Sequence, residues 1–425
     1  MLLSPIPKTV NRMMNIAIIG GGAAGFFAAV NLKMLAPQAS VTIFEKQDRV
    51  LKKVLVSGGG RCNLTNTFED VTDLKQVYPR GHKLLKGLFK EFDHEAARRW
   101  FEAQGIRLTV QPDHCIFPAS QDAHSIAECL TRLAKENSID VRTSHRVEHI
   151  VPRDSGGFDI EFRTPQTVVQ DFDKIVVTTG GSPRHEGLRY LEELGHKIEP
   201  PAPSLFTFNI TDRKLHELSG TVVDPVTVCI PGTKFRATSA LLVTHWGMSG
   251  PAILKLSSHA ARFMNEGEYR VPLLVNWTNQ INQDAVSGIL RDTAARAPQK
   301  QMGNVRPFGL SSRLWDYLLE KAEIPGERKW GESGKKSIAR LTDVLCNDRY
   351  AVEGKSTCRE EFVTCGGISL ESVHRHTLES KVCPGLYFAG EVLDIDGVTG
   401  GFNFQAAWTT AHTVAQAIAA SDRTC

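Results

Sequence analysis

An apolar run, Asn15–Ile19 (NIAII), passes without a break into GGGAAG at residues 20–25 and then into FFAAVNLKMLA. Few other patterns narrow the choice of fold so far. Four apolar residues in a row after Asn15 predict a strand buried on both faces, and the stretch after the glycines predicts a helix. Gly20, Gly22 and Gly25 stand at the spacing G-x-G-x-x-G. The first glycine permits a tight turn, the second a close approach of backbone to a pyrophosphate, and the third close packing of helix on strand. Phosphates would then rest on the helix N-terminus, where free N–H groups and the dipole favour an anion. Ser40–Phe44 reads as a second strand, followed by Glu45, which lies 20 residues after Gly25, where a ribose acceptor is expected. Strand, glycines, helix, strand and acid in register predict a dinucleotide-binding α/β domain.

The next block decides which dinucleotide. LKKVLVSGGGRCNLTN at residues 51–66 carries Gly58, Gly59, Gly60, Arg61, Asn63, Thr65 and Asn66. This row of donors suits a second pyrophosphate or a ribityl chain, which a plain nicotinamide dinucleotide does not ask for here. At the far end, GLYFAGEVLDIDGVTGGFNFQAAWTTAHTVAQAIA (385–419) reads as a strand, an acidic loop, a glycine turn and a long final helix. Asp394 and Asp396 offer acceptors for ribityl hydroxyls. The helix opened by Gly400 and Gly401 would turn its amides toward a flavin ring and stabilise negative charge there. FAD, gripped from both ends of the chain, is the expected cofactor.

GGGAAG, LVSGGGRCNLTN, THWGMSGPAIL, TCGGI and LYFAGEVLDIDGVTGGFNFQAAW resemble the BaiN/RdsA-type, aminoacetone-oxidase-like family of bacterial FAD-dependent oxidoreductases. The resemblance runs, with gaps, over nearly the whole chain, and generic Rossmann flavoproteins lack its SGGGRCNLTN and GEVLDIDGVTGG blocks. It implies an α/β fold: a Rossmann-type, glutathione-reductase-like FAD-binding domain interrupted by an inserted β-barrel-like and helical region. The cofactor contacts so expected are Gly20, Gly22, Ala23, Ala24, Gly25, Glu45 and Lys46 in the first block. Gly59, Gly60, Arg61, Cys62, Asn63, Thr65 and Asn66 follow in the second. Val147, where the backbone of related flavoproteins reads adenine, is joined by Thr179, Gly180 and Gly181 after the strand KIVVTTGG. Gly390, Glu391, Asp394, Gly400, Gly401, Asn403, Gln405 and Ala406 complete the set. One stretch departs from the family: SPRHEGLRYLEELGH (182–196) stands where a longer Ser/Gly-rich loop is usual, and if that loop borders the substrate, a relative's substrate does not carry over.

At 425 residues the chain exceeds one ordinary core. The expected division is a FAD-binding domain at 14–200 and 362–421, with an inserted substrate or lid region at 201–361. Val141–Val151 and Phe158–Phe162 read as antiparallel strands around a DSGG turn. EPPAPSLF (199–206) reads as a linker, TVVDPVTVCI and RVPLLVNW as strands of the insert, and 280–345 as helical. Nine cysteines with no C-x-x-C pair point to a reducing compartment, without a disulfide framework or a metal site. Pro5 and Pro7 break the short apolar run at the start, Met13 and Met14 are alternative initiators, and no membrane-length apolar run follows. A cytoplasmic enzyme is expected.

Cys62 has no cysteine near it, which excludes a disulfide reductase. No second G-x-G-x-x-G unit marks a separate nicotinamide domain, so NAD(P)H, the expected donor, would dock on the flavin face. Among relatives the resemblance implies amine oxidation, bile-acid dehydroxylation or dihydrouridine formation in ribosomal RNA. The last two share a C=C conjugated to a carbonyl, which needs a proton donor for the α carbon and a polar grip on the oxygen. Cys62, His245 and His114 are the candidates; a buried filler for Cys62 and structural or solvent-facing roles for the histidines are the competing readings. Charge bears on the substrate. Residues 52–107 hold 11 Lys/Arg against 7 acids and 291–340 hold 11 against 6, although the net charge is only +3. Such segregation suits a phosphate backbone, yet basic stretches are also ordinary solvated faces. Three readings stand: a reductase of a conjugated C=C with ribosomal RNA as favoured substrate, an oxidase or dehydrogenase of a small amine or steroid-like metabolite, and a non-catalytic flavin- and RNA-binding protein.

Overall fold

The computed structural model describes residues 13–163, 168–182, 184–280, 282–356 and 363–422. The apolar start (1–12), Pro183 in the departing segment, Ile281 at the start of the helical stretch, and the predicted domain junction at 361–362 lie outside them. The chain forms two compact units, Met1–Pro201 with Val363–Cys425, and Ala202–Phe362.

The first unit is built on a five-stranded parallel sheet. Strand β1 (Asn15–Ile19) lies at its centre, with β2 (Ser40–Phe44) and then Asp140–Arg142 on one side, and Lys174–Val177 and then Leu386–Phe388 on the other. Ile16, Ala17 and Ile18 have no exposed surface, as a strand covered on both faces requires. One face is covered by helix α1 (Ala23–Leu35) and the final helix Phe402–Asp422. Phe27 is the hub there, with ring centroids 5.1 Å from Trp408, 5.6 Å from Phe92 and 5.9 Å from Phe101. Over the other face lies a three-stranded meander, Arg146–Pro152, Phe158–Arg163 and Val168–Phe172, whose Phe162 ring sits 4.6 Å from that of Phe44. The predicted strand Val141–Val151 is therefore two. Asp140–Arg142 joins the parallel sheet, the chain turns at 143–145, and Arg146 opens the meander.

The proline-rich stretch is not a loose linker. Ile198–Ser204 is extended and pairs with the strand Val363–Ile368, since proline is tolerated at a sheet edge where its missing N–H costs no ladder bond. In the second unit seven strands form one sheet, in the order Asp348–Val352, Val271–Asn276, Val222–Cys229, Arg236–Thr244, Gly247–Ser249, Phe208–Asn209 and Gly354–Lys355. No ladder joins its two ends among the described residues, so the expected barrel is here an open sheet. Helices Gln283–Arg296, Ser312–Lys321 and Lys335–Asn347 occupy the stretch read as helical.

Candidate functional site

In the five-stranded sheet the chain runs outward from β1 to β2 and Asp140–Arg142, then returns to the other side of β1. The order reverses between β1 and Lys174–Val177, and in open α/β sheets ligands bind at that reversal, beyond the carboxyl ends of the strands. A cleft of about 380 Å³ lies there. It brings together Gly20, Glu45, Lys46, Val147, Thr179, Gly180 and Gly181, which were picked from four separate stretches of sequence.

The turn after β1 shows why three glycines are needed and why their uses differ. At Gly20, with φ +116°, an added Cβ would lie 2.4 Å from the Thr178 carbonyl oxygen. At Gly25 it would lie 2.0 Å from that of Gly20. Thr178 Oγ1 donates to the Ile19 and Gly20 carbonyls at 3.1 and 2.9 Å, locking the turn to the neighbouring strand. Gly22 is different. It precedes α1 in extended conformation, caps the helix with no side chain, and a Cβ there would meet nothing within 4 Å. The space before the first-turn amides of Ala23, Ala24 and Gly25 is thus open, as a diphosphate seat requires. Glu45 borders it, its Oε2 accepting from Gly21 N–H at 2.9 Å and its Oε1 from Gln47 N–H at 2.8 Å.

The second glycine block behaves otherwise. Helix α2 (Lys52–Gly60) loses helical geometry at Ser57, Gly58 and Gly59, and Gly58 to Gly60 all adopt left-handed φ. Arg61 folds back locally, its Nε donating to Gly58 O at 3.1 Å and its guanidinium lying 4.5 Å from the Phe117 ring centroid. Beyond it the chain is knitted to the C-terminal turn. With its side-chain amide turned to suit its neighbours, Asn63 Nδ2 donates to Thr65 O at 2.9 Å and its Oδ1 accepts from Gly401 N–H at 3.1 Å. Thr65 Oγ1 donates to Gln405 Oε1 at 2.7 Å, Asn66 Nδ2 to Gly400 O at 3.1 Å, and Trp408 Nε1 to Leu64 O at 3.0 Å. Asn403 closes the turn on Gly397 through both ends of its amide, and Ala406 is buried in the core. The polar groups predicted to hold a ribityl chain here hold the two ends of the protein together, and the Gly401 amide expected to face a flavin is spent on Asn63.

The acidic loop divides likewise. Asp396 has no exposed surface and is paired with Arg80, so it is not an acceptor for a hydroxyl. One oxygen of Asp394 accepts from Gly366 N–H at 2.9 Å. Glu391 accepts from Thr364 N–H at 2.8 Å and from Lys53 Nζ at 2.9 Å, while Gly390 presses against Ala24 of α1.

The three acid–base candidates have different surroundings, and His245 belongs to the second unit. Cys62 is fully buried in the hydrophobic core, and burial pushes its thiol up to about 12. It is the filler of the competing reading. His114 sits at a hairpin turn between Glu69 and Asp70, at 3.5 and 3.0 Å. His245 is exposed in the turn between Arg236–Thr244 and Gly247–Ser249 of the second unit. Sequence reading missed other groups that line the cleft: Arg146, His149, Glu186, Arg189, Tyr190 and Glu193. Several of these come from the stretch that departs from the family, now seen as two short helical turns, His185–Leu188 and Arg189–Glu192. Its location directly after the Gly180–Gly181 turn was the available signal. Among the described residues no group of three or more His, Cys, Asp or Glu is placed to hold a metal ion, and no helix is long and apolar enough to cross a membrane.

The family described as HI0933-like protein Rossmann domain matches residues 14–417. A 3-dehydro-bile acid delta(4,6)-reductase of Clostridium scindens is 25% identical over 419 residues, covering 96% of this chain and 99% of the relative. A ribosomal RNA dihydrouridine synthase of Escherichia coli is 28% identical, covering 95% and 98%. The corresponding synthase of Haemophilus influenzae is 29% identical, covering 94% and 97%. Among solved structures, the 3-ketosteroid delta1-dehydrogenase of Sterolibacterium denitrificans superposes with a TM-score of 0.50 at 13% identity, covering 96% of this chain and 99% of that one. At that identity the likeness is one of fold.

Proposed function

The chain belongs to the HI0933-like Rossmann-domain family, and from that premise we propose that it is an FAD-dependent reductase of a C=C bond conjugated to a carbonyl. Membership and relatives together make it an oxidoreductase of the flavoprotein class; the substrate and the electron donor are the proposal. The observation that carries it is the open space at Gly22, before the amides of α1, beside a cleft at the sheet's reversal point. In that seat the first-turn amides would hold the diphosphate, Glu45 would accept from the ribose, and the Val147 backbone would serve the adenine. FAD, when bound, would supply the hydride for the β carbon of the substrate, and the α carbon would take its proton ultimately from water. The chain's own work is to hold the cofactor rigidly, which the Thr178 bonds to Ile19 and Gly20 favour.

The names of the relatives share one chemistry, since an unsaturated 3-oxo bile acid and a uracil each present a C=C next to a carbonyl. Uridine in ribosomal RNA is the favoured substrate and NAD(P)H the favoured donor. The basic stretches support RNA only weakly. Lys53, Arg80 and Lys321 are paired with Glu391, Asp396 and Asp348, acids that lie outside the basic windows.

The test is anaerobic. Protein reduced with NADPH or NADH is mixed with unmodified ribosomal RNA, with an enone, with an amine, or with oxygen alone, and flavin re-oxidation is followed by visible absorbance. Re-oxidation by RNA with loss of uridine is the expected result. Response to the enone alone moves the substrate to a metabolite, response to oxygen with peroxide release favours an oxidase, and RNA affinity without turnover favours a binding protein.

A further inference from the structure

We infer that Lys53 supplies the cation for the FAD diphosphate, and that Glu391 holds its ammonium beside the glycine turn until that anion arrives. The inference rests on the FAD reading above and adds a residue to it. Two segments, far apart in sequence, dock on the turn and the start of α1. Leu51 N–H donates to Gly21 O at 2.8 Å, so α2 starts on the turn itself and Lys53 falls in its first coil. From the C-terminal side, an added Cβ at Gly390 would come 2.8 Å from the Ala24 side chain, so Glu391 follows directly after a contact with α1. The Glu391 carboxylate lies over the second glycine turn, where a Cβ on Gly181 would come within 2.4 Å of Oε1. Lys53 Nζ meets its Oε2 at 2.9 Å.

Three considerations make this an anion site rather than a brace. The Lys53 side chain is 57% exposed, and an ion pair in that setting adds little to folding. Glu391 follows the contact of Gly390 with Ala24 in the first turn of α1, so a diphosphate held by that turn would bring negative charge toward its carboxylate, and like charges at close range need an intervening cation. The neighbouring lysine supplies the contrast. Lys52 pairs with Asp48 one turn back, on exposed surface.

The experiment titrates flavin-stripped protein with FAD and with riboflavin, read by flavin fluorescence at low and moderate salt, alongside the melting temperature of each stripped variant. Lys53→Met is expected to raise the Kd for FAD on the order of 10- to 100-fold and to flatten its salt dependence. Riboflavin, which has no phosphate, should bind both proteins alike. Lys52→Met should match wild type, and Glu391→Gln should bind FAD as tightly or more so, because it removes the competing carboxylate while its amide oxygen can still accept from Thr364 N–H. A Lys53→Met Kd within twofold of wild type overturns the assignment. So does equal weakening by Lys53→Met and Glu391→Gln with a common fall in melting temperature, which would make the pair a brace. Wild-type protein that takes up no FAD overturns the FAD reading itself, and this inference with it.

Discussion

At Gly22 an added Cβ would meet no atom within 4 Å, whereas at Gly401 it would come within 2.3 Å of the Thr65 carbonyl oxygen. Both glycines sit at the start of a helix in the same unit, in glycine-rich stretches that look alike on paper. At the first, the missing side chain leaves room for something outside the protein. At the second, it lets two ends of the chain close on each other, and the polar residues around it are spent on that closure. A glycine cluster therefore says that a close approach occurs, and only the surrounding atoms say whether the approaching body is a ligand or the protein itself.

The largest expected effect tests the closed end of that contrast. Gly401 has φ +86°, so Gly401→Ala adds a strained backbone to a clash with a carbonyl and should destabilise the fold by about 3 kcal/mol or more. Chemical denaturation would show it, and a stable variant would mean the turn is looser than described. Asp396→Asn, which leaves the Arg80 guanidinium buried without its carboxylate, should cost about 3 kcal/mol by the same assay. Cys62→Ala should cost less, about 1–2 kcal/mol for a small cavity, with turnover retained. If turnover is lost while FAD binding and stability hold, the thiol is part of the chemistry after all. The thiol also predicts a pH effect. Burial raises its pKa to about 12 from 9.0, so the folded state keeps a proton that the unfolded chain releases. That contribution is full below pH 9 and falls away as pH rises from 9 toward 12. Denaturation midpoints measured over that range should fall less for Cys62→Ala than for wild type.

Much of this was legible in the sequence because local rules sufficed. NIAII followed by GGGAAG is strand, turn and helix whatever its context, and Glu45 falls at the lip of the cleft because strand length fixes the spacing. The final helix and the strands at Val222–Cys229 and Val271–Asn276 were equally readable from their apolar runs. What the sequence hid were pairings between distant residues. Nothing near Asp396 announces that Arg80 neutralises it, and nothing near Thr65 or Asn66 announces Gln405 and Gly400. Donor-rich residues look the same whether they wait for a ligand or for each other. The strand Val141–Val151 was misjudged for a related reason: β-propensity runs through it unbroken, and only tertiary pairing sends its two halves to different sheets.

The most direct measurement is the flavin content and melting temperature of purified Gly22→Val protein. Gly22 has an extended backbone that any residue adopts, so the stripped variant should melt close to wild type. The new side chain would fill the diphosphate seat, and the protein should purify colourless, with its Kd for FAD raised on the order of 100-fold, or about 2.8 kcal/mol. A variant that purifies fully yellow would place the cofactor elsewhere and contradict the account.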